Sequence, residues 1–240
     1  MIREHFEVGE SAITLIGPAE CMAAAKEAVF RARDSILRRI AEEPYFHTSF
    51  EPLPYEGGDR TIERMSTAAA AAGVGPMASV AGTVAWEAVE AMASAGASLA
   101  LADNGGDIAM VCDRTVTVGI HSGGPLAGLG LSIPPRSEVL GICSSSARVG
   151  PSISLGESHV CTVISEDVSL ADACATSLGN MVRNDDEDHL KECLQSVLDI
   201  PGIIAAMANV GEKLAIVGDM PRLVGVKGSE DLITKRTLTV

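Results

Sequence analysis

Positive charge is scarce in this chain: 18 Lys and Arg stand against 32 Asp and Glu among 240 residues, a formal net charge of −14. That balance excludes a nucleic-acid partner, which would need basic residues clustered on one face, and it disfavours an anionic membrane surface for the same reason. Long apolar runs are also missing. The most apolar segment, Gly73 to Ala102, is broken by Gly75-Pro76 and carries Glu87 and Glu90, so it reads as a buried helix and strand rather than a membrane span. The opening residues MIREHFEVGE have no apolar signal core, and the expected location is the cytoplasm. Six cysteines occur without a C-x-x-C pair or the Cys/His spacing of a structural zinc site, which fits a reduced compartment. No Ser/His/Asp order with a nucleophile-elbow motif, fixed-period repeat or low-complexity tract is present. Only seven residues are aromatic, and four of them, Tyr45, Phe46, Phe50 and Tyr55, fall in one run, PYFHTSFEPLPY, read as an irregular segment sealing the core.

What is present alternates between helix and strand patterns. Residues 2–16 alternate on either side of Gly9-Glu10 and predict a β-hairpin. From Ala19 to about Glu43, Met22, Ala25, Val29, Ile36 and Ile40 recur at helical spacing. A second helix runs from Thr61 to Ala72 and stops at Gly73; a third follows Gly75-Pro76 and continues through Met92. ASLALAD, DIAMVCD and RTVTVGIH are rich in strand formers, and Asn104-Gly105-Gly106 between the first two is a strong hairpin signal. HVCTVIS predicts another strand, followed by helices from Ser169 to Met181 and through Val197, then short strands and a polar tail after Lys227. The class expected is α+β with a mostly antiparallel sheet, arranged as one domain over residues 1–240.

Three stretches are candidates for chemistry. GICSSSARVGPSISLG, residues 141–156, reads as a loop that packs one cysteine, five serines, one arginine and three glycines into sixteen residues. Ser144, Ser145, Arg148, Ser152 and Ser154 would line an anion cradle there, and Cys143, flanked by polar and glycine residues, is its one strong nucleophile. The plainer alternative is a serine-rich turn that satisfies its own backbone. In SLADACATSLGN, Asp172, Thr176 and Asn180 recur at i, i+4, i+8 and stack oxygen-bearing side chains on one helix face, a hard donor set that suits Mg²⁺. Against that, Ser169-x-x-Asp172 is also a capping-box pattern. Asn104, Gly105, Gly106 and Asp107 could present backbone and a carboxylate to a ligand, with Asp103 a further candidate, or could be a structural turn. Gly75 before a helix offers unpaired N–H groups to an anion, or serves a tight turn between helices. His121 and His159 read as structural.

Together AGVGPMASVAGTVAWEAVEAM, LADNGGDIAMV, GICSSSARVGPSISLG and SLADACATSLGNMV resemble, in order, the blocks of an uncharacterised prokaryotic family related to ApbE, the FAD:protein FMN transferase once linked to thiamine biosynthesis. The resemblance covers nearly the whole chain and rests on four blocks agreeing in sequence and spacing. It implies an ApbE-like fold related to the T-fold. It also implies Asp172 and Thr176 as the D-x-x-x-T ligands of Mg²⁺, Gly105 and Gly106 as the glycine pair of an N-x-G-G-D-like turn, and FAD or FMN as the candidate flavin. Two departures stand out. The Lys-Gly of ApbE falls on Ala81-Gly82, so Gly82 is kept and the lysine is absent, and the His-x-x-Asp-Pro segment is replaced by PSISLGESH. Members of the resembling family in anaerobic archaea are associated with sulfide assimilation toward homocysteine and cysteine through protein persulfide. The expectation is therefore a sulfur-handling protein whose Cys143, made more acidic by N–H groups and Arg148, carries sulfide-derived sulfur as a persulfide, a step that also requires a two-electron oxidant, and passes it to a protein acceptor. The alternatives are an Mg²⁺-dependent flavin-nucleotide enzyme and a non-catalytic module that binds a small anion; a homodimer fits any of the three.

Overall fold

A computed structural model of the protein describes residues 1–120, 128–146, 156, 158–226 and 234. Its centre is an eight-stranded sheet whose neighbours all pair antiparallel, in the order β1-β2-β3-β4-β7-β8-β9-β10. These strands are β1 (Ile2–Val8), β2 (Ser11–Gly17), β3 (Ala100–Asn104), β4 (Asp107–Cys112), β7 (Arg136–Ser145), β8 (Val160–Ser165), β9 (Ile203–Val210) and β10 (Lys213–Gly218). A second sheet, in the order β11-β6-β5, is formed by β5 (Val116–Ile120), β6 (Leu129–Ile133) and β11 (Arg222–Gly225). The α+β class and the antiparallel sheet expected from the sequence are both present, as is the first hairpin, where Gly9 takes φ 55° and Val8 pairs with Ser11.

The helices are α1 (Met22–Glu42), α2 (Tyr45–Thr48), α3 (Arg60–Ala72), α4 (Val80–Ser94), α5 (Val168–Met181) and α6 (Glu187–Leu198). α1, α4, α5 and α6 pack on one face of the large sheet, and α2 and α3 pack against these helices. α1 buries Met22, Ala25, Ala28, Val29, Ala32 and Ile36, the stripe its spacing predicts. α3 starts where the Asp59 carboxylate accepts the Thr61 and Ile62 amides, and stops at Gly73, whose φ of 67° suits a residue without Cβ. Only part of the aromatic run seals the core: Phe46 is buried, whereas Tyr45 and Phe50 are 60% and 72% exposed.

The two faces of the sheet differ in size of side chain. Toward the helices it shows Ala100, Ala102, Ala109, Cys143, Cys161, Ala206 and Ala208. Toward the small sheet it shows Leu101, Met110, Leu140, Ile142, Ile164 and Met207, which meet Val118, Leu131 and Ile133. Small residues on the first face let α4 and α5 approach the strands closely, with α5 lying directly over β7 and β8.

This layering corrects the loop reading for the first five residues of the 141–156 stretch. Gly141 to Ser145 are the last residues of β7, paired with β4 on one side and β8 on the other. A Cβ on Gly141 would lie 2.8 Å from the Val168 Cα, so the glycine there makes room for α5. Arg148, Ser152, Ser154 and His121 lie outside the described residues. Among the described residues no single helix is long and apolar enough to cross a membrane.

Candidate functional site

Four elements converge at one end of the large sheet. A two-residue turn, Gly105 and Gly106 with φ of 72° and 108°, joins β3 to β4 and places Asp107 opposite Asn104. Positive φ at both turn positions is the conformation that glycine adopts without strain, and it fixes the register in which Asp107 starts β4. The Asp107 carboxylate accepts the Ser144 amide across the strand pair at 3.2 Å. Asn104 donates its side-chain amide to the Ala81 carbonyl at 3.1 Å, tying the turn to the first turn of α4.

Asp172 approaches the same place from α5. Its Oδ2 accepts the Gly82 amide at 2.7 Å, and the Ala81 amide also favours its charged form. A carboxylate on the N-terminal amides of a neighbouring helix satisfies groups that have no partner within their own helix, and it is favoured by the helix dipole. The capping-box alternative for Asp172 is thus corrected. The start of α5 is capped by Asp167, which accepts the Leu170 amide at 2.8 Å, while Ser169 shares a 2.7 Å hydrogen bond with Thr83. Thr176, one turn after Asp172, donates to the Ala78 carbonyl at 3.5 Å. Gly82 is the residue that lets α4 and α5 meet, since a Cβ there would stand 2.8 Å from both the Val168 carbonyl oxygen and the Asp172 Cβ.

The electrostatics are those of two carboxylates held close in a poorly hydrated place. Burial raises the Asp172 pKa to about 7, against the opposing effect of the Gly82 and Ala81 amides. Burial raises Asp107 well above the usual carboxylate range, and the Asp172 charge adds to it. Among the described residues neither has a Lys or Arg ion pair.

Cys143 follows Ile142, which pairs with Ile108, and so lies beside Asp107 on the helix-facing side of β7. Its side chain is fully buried and its thiol donates to the Val168 carbonyl at 3.6 Å. Burial, then the Asp107 and Asp172 charges, push its pKa well above the usual thiol value. The expectation of a lowered pKa is corrected, because the thiol has two carboxylates beside it and lies in the core. Ser144 points to the opposite face and hydrogen-bonds Thr162 at 2.8 Å; Ser145 is buried. Gly75 is also a packing residue, since a Cβ on it would overlap the Ser49 carbonyl. Asp103 faces away from α4, its Oδ1 accepting the Gly106 amide at 2.9 Å and its Oδ2 the Thr234 hydroxyl at 2.5 Å.

Asp107 and Asp172 therefore lie close enough for one charge to act on the other, Asp172 is tied to Gly82, Asn104 to Ala81, and Thr176, one turn along α5, to the Ala78 carbonyl; no three His, Cys, Asp or Glu residues form a metal-ligating group among the described residues. Two carboxylates, a hydroxyl and a carbonyl are hard oxygen donors. They fit Mg²⁺, which takes one or two protein carboxylates and completes its shell with water and phosphate oxygens, better than a thiophilic metal. The Ala81 and Gly82 backbone atoms that hold Asn104 and Asp172 were beyond the reach of sequence reading, because backbone donors leave no residue signature.

Helices on an antiparallel sheet, with the carboxylate-bearing helix packed on the glycine of its neighbour, define an ApbE-like protein. The structure resembles the apo form of the flavinyl transferase ApbE of Pseudomonas stutzeri with a TM-score of 0.51 at 12% identity, covering 98% of both chains, a likeness in fold. Residues 3–197 match the family described as AbpE bacteria. The chain is 46% identical over 233 residues to a UPF0280 protein of Methanocella arvoryzae, covering 96% of this chain and 94% of that one. It is 43% identical to a UPF0280 protein of Methanothrix thermoacetophila, covering 98% and 100%, and 39% identical to one of Archaeoglobus fulgidus with the same coverage. The chain belongs to this UPF0280, ApbE-related family.

Proposed function

We propose that the protein binds a flavin nucleotide through Mg²⁺ at Asp107, Asp172 and Thr176, as a flavin-transferase-like enzyme of the ApbE kind. The observation that carries this reading is two buried carboxylates, Asp107 from a strand and Asp172 from a helix, each held by a backbone amide and close enough for the Asp172 charge to act on Asp107, without a basic side chain paired to either among the described residues. Such a pair is unfavourable by itself and becomes favourable with a divalent cation between it and a phosphate. The ion, when bound, would supply charge neutralisation and polarise a phosphoryl oxygen. The chain's own part is separate: Gly82 and Ala81 hold the Asp172 carboxylate in place, the Gly105-Gly106 turn holds Asp107, and Asn104 locks that turn to α4. Ala81 stands where ApbE has lysine, so among the described residues the cation alone would neutralise phosphate at this site.

The test is equilibrium titration of FAD and FMN with and without Mg²⁺, followed by flavin fluorescence and calorimetry. Wild type is expected to bind flavin nucleotide only with Mg²⁺ present. Asp107→Asn and Asp172→Asn, which keep a hydrogen-bonding oxygen but lose the charge, are expected to weaken binding by roughly tenfold or more, since a hydrogen bond or contact to a charged group contributes about 1.5–3 kcal/mol. Wild type that binds neither flavin with Mg²⁺ would sink the reading.

The sulfur-handling alternative needs a thiolate at Cys143, and burial beside two carboxylates works against it. Native-state iodoacetamide is expected to modify Cys193, near the surface of α6, well before Cys143, read by peptide mapping of a time course. Cys143 labelled first would restore the persulfide mechanism and its protein sulfur acceptor.

A further inference from the structure

In the polar tail read from the sequence, the described residue, Thr234, lies in the interior. Thr234 is only 7% exposed, and its hydroxyl sits between two strands, donating to the Asp103 Oδ2 at 2.5 Å and lying 2.8 Å from the Thr14 hydroxyl. Thr14 and Asp103 are direct cross-strand partners on β2 and β3, so one hydroxyl spans the pair from the face opposite α4. His5, the partner of Thr14 on β1, completes the row with its Nδ1 3.1 Å from the Thr14 hydroxyl. The other oxygen of Asp103 accepts the Gly106 amide at 2.9 Å.

The consequence reaches the site through one carboxylate. Gly106 is the second residue of the turn that starts β4, and Asp107 follows it immediately. With φ of 108°, Gly106 has the conformational freedom of glycine, and its amide bond to Asp103 is what limits that freedom. Asp103 in turn has two rotatable bonds and one oxygen engaged by the turn; Thr234 engages the other. We propose that Thr234 is a positioning residue, which orients Asp103 so that the Gly105-Gly106 turn presents Asp107 to the cation. The inference rests on the assignment of Asp107 as a cation ligand. It makes residue 234, far from the site in sequence and outside the 3–197 span of the family match, part of the site's support.

The experiment uses the full chain. Amide exchange of Gly106 is followed by NMR, and Mn²⁺ binding by electron paramagnetic resonance, in wild type, Thr234→Val, Thr234→Ser and Thr14→Val. Thr234→Val keeps the shape and removes the hydroxyl; it is expected to speed Gly106 exchange and to weaken Mn²⁺ binding, each by about fivefold, the equivalent of one net hydrogen bond. Thr234→Ser is expected to restore both. Thr14→Val removes the other neighbour of the same hydroxyl while leaving the Asp103 bond, and is expected at the wild-type exchange rate. Wild-type exchange at Gly106 in Thr234→Val, or equal acceleration in Thr14→Val, would overturn the positioning role. Faster Gly106 exchange in Thr234→Val, rescued by serine, in a wild type that binds no Mn²⁺ would support the hold on the turn and overturn the cation reading instead.

Discussion

Gly82→Ala is expected to lose both stability and ligand binding, although alanine ordinarily favours a helix over glycine by about 1 kcal/mol. The sign reverses because the added Cβ has nowhere to go. It would stand 2.8 Å from the Val168 carbonyl oxygen, 2.8 Å from the Asp172 Cβ and 3.2 Å from Asp172 Oδ2. The first is backbone at the start of α5 and cannot rotate away, so α4 and α5 must separate. Overpacking of this kind costs roughly 1–3 kcal/mol, which for a chain of this size lowers Tm by roughly 2–12 °C. Separation also stretches the 2.7 Å bond from the Gly82 amide to Asp172, so Mg²⁺-dependent binding should fall even at temperatures where the variant is folded. Gly58→Ala, where nothing lies within 4 Å of the new atom, is the matched control and should leave both unchanged. A Gly82→Ala protein as stable as wild type and equally able to bind would show that the α4–α5 contact at Gly82 does not constrain the site.

The parts of the fold legible in sequence were those set by local pattern. The β1–β2 hairpin, the α1 stripe, the stop at Gly73 and the Gly105-Gly106 turn each follow from periodicity or from the freedom of glycine at positive φ. Gly141 to Ser145 misled for the opposite reason. Glycine, cysteine and serine have weak strand preference and read as a loop, yet these residues lie in a central strand because α5 crosses directly above them and leaves room only for small side chains. Strand propensity is largely a matter of fit to neighbours, and the neighbour here is more than twenty residues away.

The site divides in the same way. Spacing along one helix put Asp172 and Thr176 together, and the resemblance to ApbE supplied a reason for the pair. What spacing alone left open was the orientation of Asp172, since its partners are the Ala81 and Gly82 amides of another helix. Asp107 joins it through the register of β4 on β7, a long-range pairing that no local pattern specifies. Cys143 stood out for its polar neighbours in sequence; in the fold the adjacent Ser144 turns to the other side of the strand, and the thiol is left beside Val168 and two carboxylates.

That carboxylate pair makes the metal-free protein more stable at lower pH across the neutral range. In the native state Asp172 has a pKa near 7, raised from 3.8, and Asp107 is raised as well. Between the unfolded and folded values the native protein holds protons that the unfolded chain has released, so stability falls as pH rises toward and through 7. The share carried by Asp172 is fully present below about pH 4 and is lost as pH rises through about 7, and Asp107 acts in the same sense. Each pH unit inside the window is worth at most about 1.4 kcal/mol per proton, so Tm measured by scanning calorimetry should drop by several degrees between pH 6 and pH 8. Mg²⁺ acts in the opposite sense. It binds the deprotonated pair, so its stabilising effect should be large at pH 8 and small at pH 6, where protons compete for the same oxygens. A general effect of the −14 net charge would also favour lower pH, and Asp107→Asn separates the two. That variant changes the net charge by one unit but removes one of the two raised carboxylates, so it should make the profile shallower and lose the pH-dependent response to Mg²⁺ together. A wild type whose Tm is constant from pH 6 to pH 8, or a Mg²⁺ shift that Asp107→Asn retains, would mean that Asp107 and Asp172 do not share one cation.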